Sequence, residues 1–553
     1  MMSAILGVHD GHDAGAALIT EDRIHAINEE RLTRKKYCRG FPERSINKTL
    51  EISNIDLEEI EKVAVAGIYR RRKRLLQLKN GIEKVFSRKT PEIVTVPHHL
   101  AHASGAYFTS GWDGSIVLTI DAAGDGLSSG VYLGFEDRLT KIAESSYLDS
   151  AGDFYASITE MLGFLSMRHE GKIMALSAYH EGSELIDFSD CIEINGLSFK
   201  NYLEKTGSES MKMLSKKVDL SLNKKDEYKE VLRKKKKDHE FWQRAVKIAA
   251  SAQKHLENMI DELCTNIKKE KSIPDSFKDK ICFSGGVAQN VKVNKIIKEN
   301  FEDVYVFPHM GDGGLALGAA THLNSGVKWD KNGKNRYKWD WKKDLKNVYL
   351  GPKYELEKVK GKIEKRDDLG LEFLKRSIRY DKISTLLKEE NIIGIFQDEM
   401  EYGPRALGNR SIIADPSKKM VKERLNKKLG REPFQPFSPT ILNEYNDTYL
   451  RNSYLNRFMT MSFDVTEKGK EDLYSAIHVD GTCRPQIIGK NDNERYHKMI
   501  KNFEQKTGIG GVLNTSFNLH GDPIVCNPIE ALDSFEKIGL DALAIGKYLI
   551  VRK

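Results

Sequence analysis

The sequence contains little cysteine and no long apolar run. Only six of its 553 residues are cysteine, and no two of them form a C-x-x-C pair. Scattered thiols are typical of the reducing cytoplasm, and their spacing argues against a disulfide framework and a thiolate zinc site. No apolar stretch approaches the length that crosses a bilayer. His9, Asp10, His12 and Asp13 stand where an export signal needs uninterrupted apolar residues. We therefore expect a cytoplasmic protein without a membrane partner.

Length and charge indicate a globular protein of more than one domain. A chain of 553 residues is too long for one ordinary core, so two or three domains are expected. The net charge is +8, and much of the lysine lies in blocks such as residues 233–240 and 358–366. Such blocks can bind nucleic acid, but no aromatic residues are interleaved with them. The composition therefore favours a solvated insertion and does not favour a nucleic-acid partner, although it does not exclude RNA.

Short apolar strands joined by glycine-rich turns recur along the chain. The strands "AILGV", "AALIT" and "IHAIN" begin it, and "SIVLTI-DAAGDG-LSSGVYLGF" repeats the unit at residues 115–135. The segments "ICFSGGVAQN" and "HMGDGGLALGAA" each predict a strand, a glycine turn and a helix. Residues 241–264 have apolar positions at helical spacing. Repeated units of this kind indicate an α/β fold with an internal duplication.

The same pass predicts the domain boundaries. Residues 1–350 form the first domain, in which the lysine-rich segment at about 181–239 is a helical insertion. Residues 351–380 form a linker, and the apolar run "NIIGIF" starts a second α/β domain at 381–553.

The glycine turns of the first domain predict a nucleotide site. Without a Cβ, the backbone N–H groups of a turn can approach phosphate oxygens closely. In their order the turns resemble those of the actin/hexokinase/Hsp70 superfamily, with two phosphate turns followed by an adenosine turn. The residues predicted to bind ATP or its adenylate are Gly11, Gly124, Asp125, Lys172, Gly285, Gly286, Asn290 and Gly311.

Three histidines within "VPHHLAHASGAYF" raise the question of a metal site. His98 and His102 are one helical turn apart, so they lie on one face of a helix about 6 Å apart. A pair alone is only half of a transition-metal site, but Asp312 follows a predicted strand and supplies a third ligand. Two imidazoles and a carboxylate suit Fe(II), which we place first, Mn(II) or Zn(II), and the residue types do not choose among these metals.

The complete set of motifs resembles one family. "HHLAHA" with "GDGGLALGAA" is similar to the metal-and-ATP core of proteins that install threonylcarbamoyl on tRNA. Together with "EERLTRKKY", "HEGKIMALSAY", "GPRALGNRSIIADP", "HVDGTCRPQ" and "NTSFNLHGDPIV", it resembles the O-carbamoyltransferases of nodulation-factor and antibiotic biosynthesis over nearly the whole chain. Two departures are Asp398-Glu399, where members usually carry Gly-Arg, and Gly15, where serine is common.

The resemblance implies two half-reactions. A YrdC-like second domain forms carbamoyl-adenylate from carbamoyl phosphate and Mg(II)–ATP, and the first domain transfers the carbamoyl group to a hydroxylated small molecule. Forked guanidinium donors suit a small dianion such as carbamoyl phosphate. The residues predicted to bind it, or ATP, are Arg405, Arg410, Lys428, Arg431, Arg484, Asn514 and Ser516.

The transfer needs a base near the acceptor hydroxyl. Asp13 is the first candidate, with His12 beside it, and Asp121 is the second. Lys36 and Lys172 are candidate cations for the substrate or the adenylate carbonyl.

Two alternative functions stay open on the sequence, as do the acceptor and a homodimeric state. A tRNA threonylcarbamoyl-type enzyme would account for the lysine blocks. An ATP-gated regulatory module would keep the superfamily fold without catalysis.

Overall fold

Two compact units make up the chain. The structure, a computed structural model, describes residues 4–20, 23–70, 72–86, 91–324, 328–329, 335–337, 345–356, 360–361, 369–373 and 376–552. The first unit comprises Met1–Glu29 and Tyr37–Leu345. The second comprises Glu30–Lys36 and Lys346–Lys553. A short early segment of the chain therefore belongs with the C-terminal unit, which the predicted division at residues 350 and 381 did not include.

The first unit begins with a five-stranded mixed sheet in the order β3-β2-β1-β4-β5. The first three strands are antiparallel neighbours, and β4 and β5 continue the sheet in parallel to β1. The predicted strands at residues 4–28 are confirmed, although residues 21–22 of their connection lie outside the described residues. The strands are Ala4–His9 (β1), Gly15–Ile19 (β2), Ile24–Asn28 (β3), Ile60–Ala66 (β4) and Glu92–Val96 (β5).

A second sheet in the same unit repeats this arrangement. Its order is β12-β11-β6-β7-β8, again three antiparallel neighbours followed by two parallel strands. Two short hairpins accompany the sheets. The strands are Gly114–Gly124 (β6), Leu127–Phe135 (β7), Arg138–Ser146 (β8), Ile192–Asn195 (β9), Ser198–Asn201 (β10), Lys280–Ser284 (β11), Asp303–Val306 (β12), Lys328–Trp329 (β13) and Asn335–Tyr337 (β14).

Helices cover both faces of the first sheet. Successive side chains of a strand point to opposite faces, so the apolar residues of one strand pack on both sides of the sheet. Val63 and Val65 of β4 belong to one apolar cluster, and Ala64 and Ala66 belong to another. The helices of this unit, the first of which continues into the second unit, are Glu29–Thr33 (α1), Glu43–Ser53 (α2), Arg72–Val85 (α3), His98–Thr109 (α4), Ala151–Met161 (α5), Glu170–Ser177 (α6), Gly207–Lys217 (α7), Lys225–Arg233 (α8), Glu240–Lys269 (α9), Val291–Asn300 (α10) and Leu315–Asn324 (α11).

Helices α4 and α11 pack at backbone contact beneath the first sheet. A Cβ at Gly318 of α11 would lie 2.0 Å from the carbonyl oxygen of Ala101 in α4. This approach fixes α4, which carries the histidines, against α11, which follows Asp312. The predicted helices at 241–264 and after both glycine turns are confirmed. Among the helices of the described residues, none is both long and apolar enough to span a bilayer.

The lysine-rich insertion is only partly helical, which corrects the prediction for residues 181–239. Besides α7 and α8 it contains the hairpin β9–β10, whose strands pair with Ser198 opposite Asn195. Gly196 in the tight turn has φ of 64°, which glycine adopts without strain. The Asn-Gly dipeptide between two apolar-alternating stretches is the local signal for this hairpin.

The second unit is a three-layer α/β structure around an eight-stranded sheet. The strand order is β15-β24-β23-β16-β17-β22-β18-β21. On β17, Ile412 and Ala414 face one helical layer, and Ile413 faces the other. Strands β19 and β20 pair with each other outside this sheet. The strands of the unit are Leu369–Phe373 (β15), Ile393–Phe396 (β16), Arg410–Ala414 (β17), Ser438–Leu442 (β18), Phe463–Asp464 (β19), Thr482–Cys483 (β20), Gln486–Ile488 (β21), Gly511–Ser516 (β22), Ala542–Ile545 (β23) and Tyr548–Arg552 (β24).

The predicted linker at 351–380 contributes to this unit. Residues 369–373 form β15, which pairs antiparallel with β24 along five residue pairs. Residues 357–359 and 362–368, with most of the second lysine block, lie outside the described residues. The helices of the unit are Arg376–Lys388 (α12), Lys419–Leu429 (α13), Asn446–Tyr449 (α14), Glu467–Asp472 (α15), Glu494–Thr507 (α16) and Pro528–Ile538 (α17).

Candidate functional site

A carboxylate from a neighbouring turn holds the start of the histidine helix. Asp125 Oδ2 accepts the backbone N–H of His98 at 2.8 Å, and the same carboxylate accepts the N–H groups of Ile68 and Tyr69. An anion at this position also complements the helix dipole. Pro97 precedes α4 and is not its first helical residue. Because three N–H groups occupy its carboxylate, Asp125 has a structural role in place of the predicted nucleotide contact.

Four side chains, three of them buried and one partly buried, converge beside this helix end. The rings of His98 and His102 have centroids 4.8 Å apart. Asp121 Oδ2 lies 3.3 Å from His98 Nε2 and 3.2 Å from His102 Nε2. Asp312 Oδ1 lies 3.6 Å and 3.5 Å from the same two nitrogens. One ligand atom from each residue lies within 4.8 Å of the others, and we call these four residues the quartet.

The donor set of the quartet fits a divalent metal ion. Imidazole nitrogens with carboxylate oxygens suit Fe(II), Mn(II) or Zn(II), and two carboxylates balance a double positive charge. Burial acts to lower the pKa of His102, but Asp121 and Asp312 outweigh it and raise the pKa to about 9. The carboxylates thus favour positive charge at this centre. His102 Nδ1 lies 3.3 Å from Ser284 Oγ, the kind of outer hydrogen bond that orients a metal-binding histidine.

Asp121 joins the ligands that the sequence predicted. The sequence assigned His98, His102 and Asp312 to the metal and gave Asp121 to base catalysis. In the structure Asp121 Oδ2 faces both histidines, and Oδ1 accepts the N–H of Ala122 at 2.7 Å. Both oxygens are therefore engaged. Burial acts to raise the pKa of Asp121, but the hydrogen bonds from His102 and His98 outweigh it and keep the pKa well below its usual value. This geometry makes Asp121 a ligand candidate and removes it from the candidate bases.

His12 and Asp13 border the quartet. His12 Nε2 lies 3.2 Å from Asp312 Oδ2, and its Nδ1 lies 3.0 Å from Asp13 Oδ2. Burial acts to lower the pKa of His12, but Asp13 and Asp312 raise it to about 9. With both ring nitrogens facing carboxylates, His12 orients Asp312 and is not a free base. Asp13, whose side chain is 27% exposed, stays the base candidate.

Glycines let two turns approach the quartet. A Cβ at Gly124 would lie 2.1 Å from the ring of His98, and one at Gly286 would lie 2.8 Å from Asp121 Oδ1. A side chain at either position would displace a quartet residue, so the turns at the ends of β6 and β11 need these glycines. The other predicted turn glycines have these positions. Gly11 lies against His9, Gly285 precedes the 3₁₀ helix Gly286–Gln289, and Gly311 precedes the 3₁₀ helix Asp312–Gly314.

Three further predicted residues have other surroundings. Asn290 Oδ1 caps α10 by accepting the N–H of Lys292 and of Val293, and its Nδ2 donates to Gln253 Oε1 at 2.9 Å. Its amide therefore already has partners within the protein, which corrects its assignment to the nucleoside. Lys172 is buried in α6 with Nζ 5.2 Å from the centroid of the Phe164 ring. Lys36 is exposed and belongs to the second unit.

In the second unit three arginines lie close together. Burial lowers the pKa of Arg484 well below its usual value, and the charges of Arg405 and Arg431 lower it further. Burial also lowers the pKa of Arg405 and of Arg431 to about 10, so both remain cationic near neutral pH. Among the described residues no carboxylate forms an ion pair with Arg405 or Arg484, and the Nε atoms of both lack a hydrogen-bond partner. Partly buried cations without a counter-charge are costly, so this arginine trio is a candidate anion site.

The trio lies where strands β18 and β22 pair. Arg484 Nη2 donates to Ser438 Oγ at 3.0 Å, and Arg431 Nη2 donates to the carbonyl of Pro436 at 3.2 Å. Asn514 pairs with Ser438 across the two strands, and its Nδ2 donates to the carbonyl of Ala406 and to Thr440 Oγ1. The buried Oδ1 of Asn514 has no partner among the described residues, so it can accept from a bound amide. Ser516 follows two residues later on β22.

Arg410 and Lys428 do not join the trio, which corrects two predictions. The terminal nitrogens of Arg410 donate to four backbone carbonyls, those of Gln397, Asn409, Pro352 and Asp398. Its guanidinium also stacks on Phe396 at 3.8 Å from the ring centroid. Lys428 Nζ donates to the carbonyl of Gly539, and 3.8 Å separates it from Asp541 Oδ1. Both cations therefore already have partners within the protein.

The unusual Asp398-Glu399 pair is neutralised locally. Asp398 Oδ1 lies 2.8 Å from Arg495 Nη1, and Lys353 Nζ lies 3.5 Å from Asp398 and 3.6 Å from Glu399. These acidic groups therefore have their own cations and leave the trio uncompensated.

We expect Arg410→Met to destabilise the second unit by about 3 kcal/mol, because four backbone carbonyls, three of them in buried contacts, would lose their donor. Denaturant unfolding should show a lower midpoint for this variant. Arg424→Met is the matched control, since Arg424 is 37% exposed and pairs with Asp541 at the surface. Unfolding of Arg410→Met at the wild-type midpoint would show that the carbonyl contacts carry no stability.

Comparison with known proteins assigns both units. Residues 69–321 match the family described as Carbamoyltransferase N-terminus, and residues 384–552 match Carbamoyltransferase C-terminus. An uncharacterized protein of Methanocaldococcus jannaschii is 40% identical over 555 residues, which is 99% of each chain. The nodulation protein NolNO of Sinorhizobium fredii is 30% identical over 98% of this chain and 79% of its own.

The chain belongs to the carbamoyltransferase family. It is therefore an enzyme of the carbamoyltransferase type. A named relative, the 3'-hydroxymethylcephem-O-carbamoyltransferase of Amycolatopsis lactamdurans, is 26% identical over 48% of this chain and 47% of its own. Among solved structures, full-length HypF in its phosphate- and nucleotide-bound form has a TM-score of 0.36 at 15% identity, covering 59% of this chain and 47% of its own. A TM-score this low does not establish a common fold.

The sequence of this carbamoyltransferase has a recognisable local motif at most of these site residues, but the motif does not indicate the role of each residue. Asp121 ends an apolar strand and precedes a glycine turn, which marks a carboxylate at a strand end without naming its neighbours. Asp125, four residues on, has the same local signal and serves a different purpose. Gln253, which bonds Asn290 and Tyr155, lies within a long helix and has no motif.

Proposed function

We propose that this carbamoyltransferase is an ATP-dependent O-carbamoyltransferase working through carbamoyl-adenylate. Carbamoyl phosphate, ATP and water give carbamoyl-adenylate, orthophosphate and pyrophosphate in the second unit. The adenylate and an acceptor hydroxyl then give a carbamate ester and AMP in the first unit. The observation that carries this proposal is the buried quartet, bordered by two glycine turns on a fold whose two sheets share one strand order.

The first unit supports the transfer half-reaction. Its repeated five-stranded sheets support a duplicated fold of the actin/hexokinase/Hsp70 type, in which turns at the strand ends bind a nucleotide phosphate. His98, His102, Asp121 and Asp312 would hold a divalent metal, for which Fe(II) is proposed, with Mn(II) and Zn(II) as alternatives. When bound, the metal supplies Lewis-acid stabilisation of negative charge on the adenylate phosphate. His12 keeps Asp312 oriented through its contact at 3.2 Å.

Asp13 is the proposed base for the acceptor. It is partly exposed, and His12 holds one of its oxygens at 3.0 Å, so the other oxygen can accept the proton of an incoming hydroxyl. The proton leaves the acceptor oxygen as the bond to the carbamoyl carbon forms, and the bond from that carbon to the AMP oxygen breaks. Asp13 is thereby assigned a catalytic role.

The second unit supports adenylate formation. Carbamoyl phosphate and ATP with Mg(II) are anions, and the arginine trio offers three guanidinium groups of which two have no ion-pair partner among the described residues. The free Oδ1 of Asn514 is suited to the carbamoyl N–H₂ group. We propose a YrdC-like role for this unit on these grounds.

The acceptor is proposed to be a small molecule with a free hydroxyl. Support comes from the relative whose name specifies a hydroxymethylcephem as its substrate. A tRNA acceptor finds no support in the described residues, since the lysines at 234–237 are spent on local contacts with Glu230 and Tyr179.

The proposal is tested with purified protein, Mg(II)–ATP, carbamoyl phosphate, Fe(II) or Mn(II), and a panel of hydroxylated acceptors. Pyrophosphate release should require carbamoyl phosphate, and AMP should appear together with a carbamoylated acceptor detected by mass spectrometry. Reactions without carbamoyl phosphate are the control. Pyrophosphate release that does not depend on carbamoyl phosphate, or its complete absence, would contradict the proposal.

A further inference from the structure

A single buried asparagine joins the turn of the candidate base to the turn of a candidate metal ligand. Asn28 ends strand β3 and is 5% exposed. Its Nδ2 donates to the carbonyl of Asp13 at 3.2 Å and to the carbonyl of Gly313 at 3.0 Å. Its Oδ1 lies 2.8 Å from His309 Nε2, which donates in the tautomer protonated at that nitrogen. All three polar positions of the amide are therefore used.

These contacts bracket Asp312. His309 precedes the ligand by three residues and Gly313 follows it directly, so Asn28 is bonded to the chain on both sides of Asp312. The third bond reaches Asp13, whose left-handed backbone, with φ of 59°, forms the opposite turn. Because Asp13 also bonds His12, which contacts Asp312, the two turns are joined twice, once through side chains and once through Asn28.

The chain makes room for this amide at two glycines. Gly15 lies opposite Asn28 in the register of β2 and β3, and a Cβ there would lie 2.9 Å from Asn28 Nδ2. A Cβ at Gly313 would lie 3.1 Å from the same nitrogen. The absence of a side chain at Gly15 thus leaves the adjoining space to the amide of Asn28.

We propose that Asn28 is a positioning residue that sets Asp312 within the quartet and fixes Asp13 relative to it. This inference rests on the proposed metal site and base. Outer contacts of this kind usually change metal affinity by 10- to 100-fold when removed. Asn28 therefore acts on the metal through Asp312 and on the acceptor through Asp13, without contacting the metal or the acceptor.

The test is a titration of metal-free protein with Co(II), followed by its visible absorption. Asn28→Ala and Asn28→Asp should each raise the Co(II) dissociation constant about tenfold or more, since aspartate keeps the shape but lacks the two N–H donors. Gly15→Ala, which crowds the amide, should raise it in the same direction. Asn201→Ala is the matched control, because buried Asn201 also donates to two backbone carbonyls, those of Leu148 and Lys205, in the hairpin β9–β10.

Two results would overturn the inference. One is wild-type Co(II) affinity in Asn28→Asp, which would reduce Asn28 to a space-filling residue. The other is an equal loss of affinity in Asn201→Ala, which would mean that general destabilisation is responsible. The titration contains no ATP or carbamoyl phosphate. Its outcome is therefore separate from the proposed function, which fails instead on the absence of carbamoyl phosphate-dependent pyrophosphate release.

Discussion

Arg405→Ala should lower carbamoyl phosphate-dependent pyrophosphate release by about 10²- to 10³-fold, the usual loss when one preorganised donor to a developing anion is removed. Its guanidinium makes no ion pair among the described residues and leaves Nε without a partner. Removing it also removes a charge that lowers the pKa of Arg484. We therefore expect a variant that is inactive in the first half-reaction and at least as stable as the wild type.

The measurement combines a pyrophosphate assay with denaturant unfolding. Arg424→Ala is the control, because it deletes a surface guanidinium of the same unit and should leave pyrophosphate release unchanged. A loss of activity that comes with an equal loss of stability would mean that Arg405 supports the fold and not the anion.

Asp121→Asn should abolish carbamoyl transfer while leaving pyrophosphate release intact. The amide has the size of the carboxylate, but it removes a negative charge that faces both His98 and His102 at 3.2–3.3 Å. The loss of a charged ligand weakens a divalent site with two imidazoles and two carboxylates, so bound metal should fall by at least tenfold. Metal content, pyrophosphate and carbamoylated acceptor are measured on the same preparation.

This variant separates the two roles that have been considered for Asp121. If Asp121 is a metal ligand, the variant loses both bound metal and carbamoyl transfer. If Asp121 is the base, the variant loses carbamoyl transfer alone. Asp153→Asn is the control, since Asp153 is a partly buried carboxylate of the same unit that, among the described residues, accepts only the N–H of Gly207. Full metal content in Asp121→Asn would return Asp121 to the candidate bases.

Local sequence patterns predicted the strands and helices of this fold better than they predicted which of these elements lie next to each other in space. Glycine turns, apolar strands and the helical spacing of His98 and His102 depend on adjacent residues, and the structure has strands and helices where these patterns indicate them. The hairpin β9–β10 was missed, although Asn195-Gly196 marks its turn, because its strands are only four residues long and lie within a lysine-rich segment. Strand β15 was read as linker because its pairing with β24 joins segments nearly 180 residues apart, about 369–373 and 548–552.

The roles of the site residues show the same limit. Asp121 lies near the end of β6 and Asp125 directly follows that strand, and the two look equivalent in the sequence, yet one faces the histidines and the other caps α4. Arg405 and Arg410 lie in one glycine-rich motif, but only Arg410 turns into the core, where backbone carbonyls take its donors. Which carboxylate or guanidinium remains free depends on burial and on distant partners, and neither is written in a local motif.

The exchange of radiolabelled pyrophosphate into ATP tests the central claim most directly, because it needs no acceptor. The wild type should catalyse this exchange only when carbamoyl phosphate is present. Asp121→Asn should retain the exchange, and Arg405→Ala should lose it. The account is contradicted if the wild type shows no such exchange, or if Arg405→Ala exchanges as fast as the wild type.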